Sequence, residues 1–177
     1  MLLEIKFNKE IYKEQTELLL KIYWNKTLKK NKKNLFICIF ALLIGVTIIY
    51  GNNNVGYIFV IIAIYGFIEC YKINAAFKKN KRDFYKNIDE EIIGHLESGE
   101  NSRWEFNENY FSYQDYRYET KIKWETFKSF RIIENNIILD LNTNCILSYV
   151  IGMKELGESD YNKLIFFLDK KIKRTST

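Results

Sequence analysis

Two apolar runs, set four residues apart and bounded on their outer sides by lysines, constrain this chain more than anything else in it. The first, Leu35 to Tyr50, reads LFICIFALLIGVTIIY without a charged side chain, and the second, Val55 to about Tyr71, carries only Glu69. Gly51-Asn52-Asn53-Asn54 between them is a turn signal. As helices of roughly 16 to 17 residues the runs reach about 25 Å, slightly short of a ~30 Å hydrocarbon core but within the spanning range once interfacial residues are added. As core helices of a soluble fold they would need apolar partners on every side, and the remaining chain holds too little apolar helix to supply them. The expectation is a transmembrane hairpin, helices at about 35–50 and 55–71 with the turn at 51–54.

Lys26, Lys29, Lys30, Lys32 and Lys33 precede the first run, and Lys72, Lys78, Lys79, Lys81 and Arg82 follow the second, whereas the GNNN tip is uncharged. By the positive-inside tendency both flanks are expected to be cytosolic and the tip outside. The net charge of +5 is concentrated beside the apolar runs, which points to a membrane surface and not to nucleic acid. A mean hydropathy of -0.24 conceals this, because it averages two apolar runs with long polar flanks. Met1 to Phe7 alternates apolar with charged residues and is not expected to act as a signal peptide.

Glu69 is the one ionisable residue inside a run, and charge within a bilayer is costly. It precedes Lys72 by about one helical turn, so its carboxylate is expected to reach the interface, with a polar contact to a partner helix as the alternative. Ala41 and Gly45 stand at small-xxx-small spacing, suited to close helix packing.

The flanks have their own periods. Leu3, Ile5 and Phe7 alternate with Glu4, Lys6 and Asn8 as in a half-buried strand, and from Lys9 to about Lys30 apolar residues recur at helical spacing behind Asn8, a capping residue. Past Arg82 a helical pattern continues through Phe84, Ile88 and Ile92 and is expected to end near Gly94 or Gly99. Short strands follow at 103–106, 110–113, 117–124, 128–134, 137–141 and 145–151, with turns at Asn107-Glu108-Asn109, Asn135-Asn136 and Asn142-Thr143-Asn144. Tyr161, Leu164, Ile165, Leu168 and Ile172 then return to helical spacing behind Ser159-Asp160. The expected fold is an α+β membrane protein, a two-helix hairpin plus a small β-rich domain closed by a C-terminal helix. Its parts are a strand and amphipathic helix over 1–33, the hairpin over 34–73, a cytosolic helical extension over 74–99, and the β-rich domain over 100–177.

This order of parts, with WEFNENYFSYQDYRYETKIKWETFKSF and IILDLNTNCILSYV in the last domain, resembles the YcxB-like membrane proteins of bacteria. Lys121, Ile122, Lys123, Trp124 and Phe127 match the family's central segment, and specific matches lie within about 104–141. Where the family often carries a Pro-Lys pair after its last strands, this chain has Gly152-Met153-Lys154. The resemblance implies a pleckstrin-homology-like β-sandwich, multi-pass residence in the bacterial cytoplasmic membrane with both termini cytosolic, and no established catalytic residues.

Signals for chemistry are sparse. His95 is the only histidine, lies near no cysteine pair, and reads as a surface or loop residue. Cys38, Cys70 and Cys145 are far apart and read as small hydrophobes. There is no glycine-rich phosphate loop, HExxH or CxxC, and Asp89-Glu90-Glu91 reads as solvated charge. Asn25-Lys26-Thr27 matches a glycosylation sequon by chance. Neither an enzyme nor a cofactor is expected. On the strand around Ile122 and Trp124, those two face the core, while Lys121 and Lys123 face solvent or lipid headgroups.

The expected function is a non-enzymatic, membrane-anchored interaction protein whose β-rich domain docks a protein partner or the membrane surface. Two alternatives stay open, an immunity factor against a membrane-active peptide or toxin and a small subunit of a transporter complex. The expected partners are the bilayer and either a protein or further copies of the chain, with no nucleic acid. The residues that would carry these contacts are Lys29, Lys30, Lys32, Lys33, Lys78, Lys79, Lys81, Arg82, Lys121 and Lys123, with Glu69 inside the membrane.

Overall fold

The computed structural model describes residues 1–142 and 148–175. In chain order these form β1 (Leu2–Ile5), α1 (Lys9–Tyr50), α2 (Gly56–Ser98), β2 (Ser102–Phe106), β3 (Tyr110–Gln114), β4 (Glu119–Lys123), a 3-10 turn (Trp124–Thr126), β5 (Phe127–Ile133), β6 (Asn136–Leu141), β7 (Ser148–Gly152) and α3 (Met153–Asp169). The layout is α+β, with two long apolar helices. The chain divides into two compact units, one made of Met1–Leu19 with Asn87–Thr177 and the other of Leu20–Lys86.

The Leu20–Lys86 unit is a hairpin of two antiparallel helical segments. Both parent helices are long and apolar enough to cross a membrane, and their most apolar windows are only 6% and 17% buried. The segments meet through small residues. A Cβ on Gly45 would lie 2.9 Å from the Gly56 carbonyl oxygen, and one on Gly56 would press into Gly45 and Ile49, so only glycine fits where the backbones approach. Further along, Gly66 accommodates the Cys38 sulfur, Asn31 Nδ2 donates to the Cys70 carbonyl at 3.2 Å, and Trp24 meets Phe77 edge-on at 5.2 Å. Thr47 returns its hydroxyl to the Leu43 carbonyl at 2.8 Å, so its polar group is satisfied within its own helix. Gly45 thus packs within the chain, against the other arm of its own hairpin.

The second unit holds two antiparallel sheets, β1-β2-β3-β4 and β5-β6-β7. Here the boundaries differ from the expected 1–33 and 100–177. Leu2 to Ile5 pair with Glu105 to Ser102, so the first strand is an edge of the C-terminal sheet and not a separate N-terminal element. The last turns of α2 also belong to this unit. Local periodicity reports that a segment is a strand but not which strand it joins.

The core lies between the sheets and α3. Phe106, Phe111, Phe130, Ile137, Leu139 and Ile151 are fully buried, and Leu164 and Leu168 of α3 close over them. Phe111 pairs with Phe106 on one side and Ile122 on the other, so alternate positions deliver their rings to one face. Turn chemistry fixes the hairpins. Asn107 Oδ1 accepts from the Asn109 and Tyr110 amides, and Glu134-Asn135, both at positive φ, form the tight connection from β5 to β6. Asn8 caps α1, its Oδ1 accepting from Glu10 and Ile11. Gly99, at φ 65°, ends α2 just past Ser98.

The last strand is described over Ser148–Gly152; the part of its expected range at 145–147, Cys145 included, and Thr143-Asn144 of the preceding turn lie outside the described residues. One further boundary moves. The last helix starts at Met153, ahead of Ser159-Asp160, because Glu155 reaches back to accept the Gly152 amide at 2.8 Å, and Gly157 at φ 72° kinks it before the apolar stretch resumes.

Candidate functional site

Lys29, Lys30, Lys32 and Lys33 on α1 and Lys78, Lys79, Lys81 and Arg82 on α2 are all exposed. The cross-helix pairs place both groups towards the open end of the hairpin, away from the Gly51–Asn54 turn. Glu69 is ion-paired with Lys72 at 2.8 Å, one turn on along the same helix. Asn31, Asn34, Cys70 and Glu69 line a shallow groove beside it.

Lys121 and Lys123 are exposed on β4, and Ile122 between them packs on the core with Trp124. The Lys121 ammonium sits 3.6 Å above the centre of the Tyr110 ring, a cation–π contact.

The most built feature lies elsewhere, in a cavity of about 260 Å³ inside the β-rich unit. Its walls come from four stretches of chain: Ile5 to Leu19, the end of α2, β2 to the β3–β4 turn, and β7 with the start of α3. Asp115 organises one side. Its carboxylate is 1% exposed; Oδ1 accepts from the amides of Arg117 and Tyr118 at 2.8 and 3.0 Å, and Oδ2 accepts from the Tyr113 hydroxyl at 3.2 Å. This bonded turn presents the Arg117 guanidinium to Glu91, 2.9 Å away, and Glu91 also accepts from the Tyr12 hydroxyl. Burial, with the adjacent carboxylates, pushes the Tyr12 and Tyr113 hydroxyls far above the ordinary tyrosine range, so both stay protonated donors.

On the opposite side Glu155 accepts from Gln15 Nε2 and from the Gly152 amide through the same oxygen, Oε2. Burial raises its carboxyl above the usual range, against the lowering effect of those two hydrogen bonds.

His95 corrects the surface or loop reading. It lies on α2 at 5% exposure, stacked on Phe7 with ring centres 4.4 Å apart and met edge-on by Tyr116 at 4.6 Å. Gly94 permits this, since a Cβ there would overlap the Tyr116 hydroxyl. Burial lowers the imidazole's pKa, outweighing the pull of the Asp115 charge, so the ring is neutral near pH 7. Asp89 of the acidic trio pairs with Lys13 at 3.3 Å, and Glu91 is the member that turns into the cavity.

The cavity residues were not legible as a group, because they lie in four stretches of sequence. The one local signal was Asp115 inside YQDYRY, a turn former among aromatic residues. The expected lysines and Glu69 take no part in it. Among the described residues no group of three or more His, Cys, Asp or Glu side chains stands ready to hold a metal ion. No family model, curated protein or solved structure matches the chain.

Proposed function

We infer that this chain is a non-enzymatic, membrane-anchored interaction protein, in which the helical hairpin crosses a bacterial cytoplasmic membrane and the β-rich unit docks a protein partner or the membrane surface on the cytosolic side. The observation that carries it is the place of the hairpin in the chain: it is inserted between two strands of one sheet, β1 and β2. Strands that hydrogen-bond to each other share one aqueous phase, so the chain must leave and re-enter that phase on the same side, which an even number of crossings achieves. Apolar windows left 83% or more uncovered fit helices whose surroundings are lipid. The lysines at the open end supply the positive-inside bias that makes that side cytosolic.

Two antiparallel sheets, of four strands and of three, with a C-terminal helix over their shared core support the reading of this unit as a β-sandwich docking module. Lys121 and Lys123 are candidates for its contacts. Glu69, satisfied by Lys72, adds nothing to the transporter-subunit reading.

The test is to extract the full chain from native membranes in mild detergent, beside a Lys121→Glu/Lys123→Glu variant and an unrelated two-helix protein. A partner or anionic lipid retained by the parent and lost from the variant is the expected result. Release of the chain by alkaline carbonate, or identical recovery from all three, would overturn it.

A further inference from the structure

Within the hairpin unit the two described cysteines, one from each arm, come together. Asn31 and Cys38 stand two turns apart along one face of α1, and Gly66 and Cys70 stand one turn apart on α2. These faces meet in antiparallel order. Asn31 Nδ2 donates to the Cys70 carbonyl at 3.2 Å, the Cys70 thiol lies 3.8 Å from the Asn31 carbonyl, and the Cys38 sulfur fills the space that a side chain at Gly66 would take. The Cys70 thiol is also within hydrogen-bonding reach of the Cys38 thiol.

A second observation comes from Asn31 itself. It is only 4% exposed, and its Oδ1 is buried with no hydrogen-bond partner among the described residues, although Nδ2 of the same amide is satisfied. A buried acceptor left unmatched costs about 1–3 kcal/mol, a loss that an electropositive occupant beside it recovers. Asn31, Cys38 and Cys70 line one groove of about 260 Å³, whose other walls include Ile37, Ile62 and Tyr65.

The donor set is selective. Two sulfurs and one neutral amide oxygen fall short of the four ligands that zinc takes, and no group of three or more His, Cys, Asp or Glu side chains exists among the described residues to complete them. Glu69, on the same groove, is already paired with Lys72 at 2.8 Å. Two thiolates match a soft monovalent ion, which sulfur holds in preference to harder ions.

We propose that Cys38 and Cys70 form a two-sulfur site for a soft monovalent metal ion of the copper(I) class, bridging the arms of the hairpin beside the Asn31 amide oxygen. Binding forms two metal–sulfur bonds and releases both thiol protons to solvent, with no change of oxidation state. The resulting complex carries one net negative charge. That charge suits the lysine-bounded end of the hairpin, where Lys32, Lys33 and Lys72 lie within a turn of Asn31 or Cys70 along their helices. The assignment does not depend on what the β-rich unit docks.

The experiment is an anaerobic titration of the full chain, carrying Cys145→Ser, in a sugar-headgroup detergent, with copper(I) supplied as its complex with a chromophoric chelator. The chain is expected to withdraw one copper(I), and Cys38→Ser and Cys70→Ser should each weaken uptake at least about 100-fold. Asn31→Ala should weaken it by about tenfold. Silver(I), a redox-inert substitute, should compete for the site, and zinc(II) should not. If the serine variants fail to fold, X-ray absorption at the copper edge on the Cys145→Ser chain still decides, two sulfur neighbours per copper being expected. No withdrawal of copper(I), equal uptake by a Cys38→Ser/Cys70→Ser variant, displacement by zinc(II), or one copper shared between two chains would overturn the proposal.

Discussion

Leu3 of β1 sits directly opposite Trp104 of β2, although both long helices separate them along the chain. The pairing ties Lys6 and Asn101, at the two ends of the helical insertion, to one side of any membrane the hairpin crosses. With the three native cysteines replaced, an impermeant maleimide is expected to label Asn53→Cys in intact cells and Lys6→Cys or Asn101→Cys only after permeabilisation. Labelling of all three positions from outside would remove the hairpin from the bilayer.

Gly56 gives the hairpin its closest approach, since the Gly45 backbone and Ile49 leave no room for a side chain there. Gly56→Leu should force the two segments apart and lower hairpin stability by about 1–3 kcal/mol. Thermal unfolding in micelles reads this, with the near-ultraviolet signal of the aromatic core in the β-rich unit as an internal reference that should not shift.

His95 makes the β-rich unit sensitive to acid. Its folded pKa lies below that of the unfolded chain, so the unfolded state binds the extra proton and stability falls as pH drops below the ordinary histidine value of about 6.5. Glu155, shifted upward, acts with the opposite sign but nearer the carboxylate range. Denaturant unfolding followed from about pH 8 to about pH 5 should show a loss that His95→Gln abolishes. An unchanged slope in the variant would place the titrating group elsewhere.

The hydroxyl of Tyr161, on the core face of α3, is buried with no hydrogen-bond partner among the described residues. Tyr161→Phe removes an unsatisfied polar group without changing the packed ring, and should stabilise the β-rich unit by about 1 kcal/mol, seen as a raised denaturation midpoint with an unchanged slope.

What the sequence revealed and what it concealed divide along physical lines. The apolar runs, the Asn8 cap and the turns at Asn107 and Asn135 depend on neighbours a few residues away, and each stands where its local pattern predicts. The partner of β1 is about a hundred residues distant, and nothing in Leu3 or Ile5 names β2 as the edge they complete. His95 was misread for the same reason. Its burial is made by Phe7 and Tyr116, one from before α1 and one from after β3, so no window around position 95 contains the cause. Glu155 was concealed by its role as a cap, which shortens the loop before α3 and turns its carboxylate inward.

The interrupted sheet also sets the order of events at the ribosome. β1 emerges first, yet the strand it pairs with is made about a hundred residues later, roughly 5–20 s at ordinary elongation rates. Both helices are synthesised within that interval, while Leu2–Ile5 has no partner edge. Both helices are therefore complete before the β-rich unit can close, and until then the nascent chain carries an unpaired strand together with two long apolar helices.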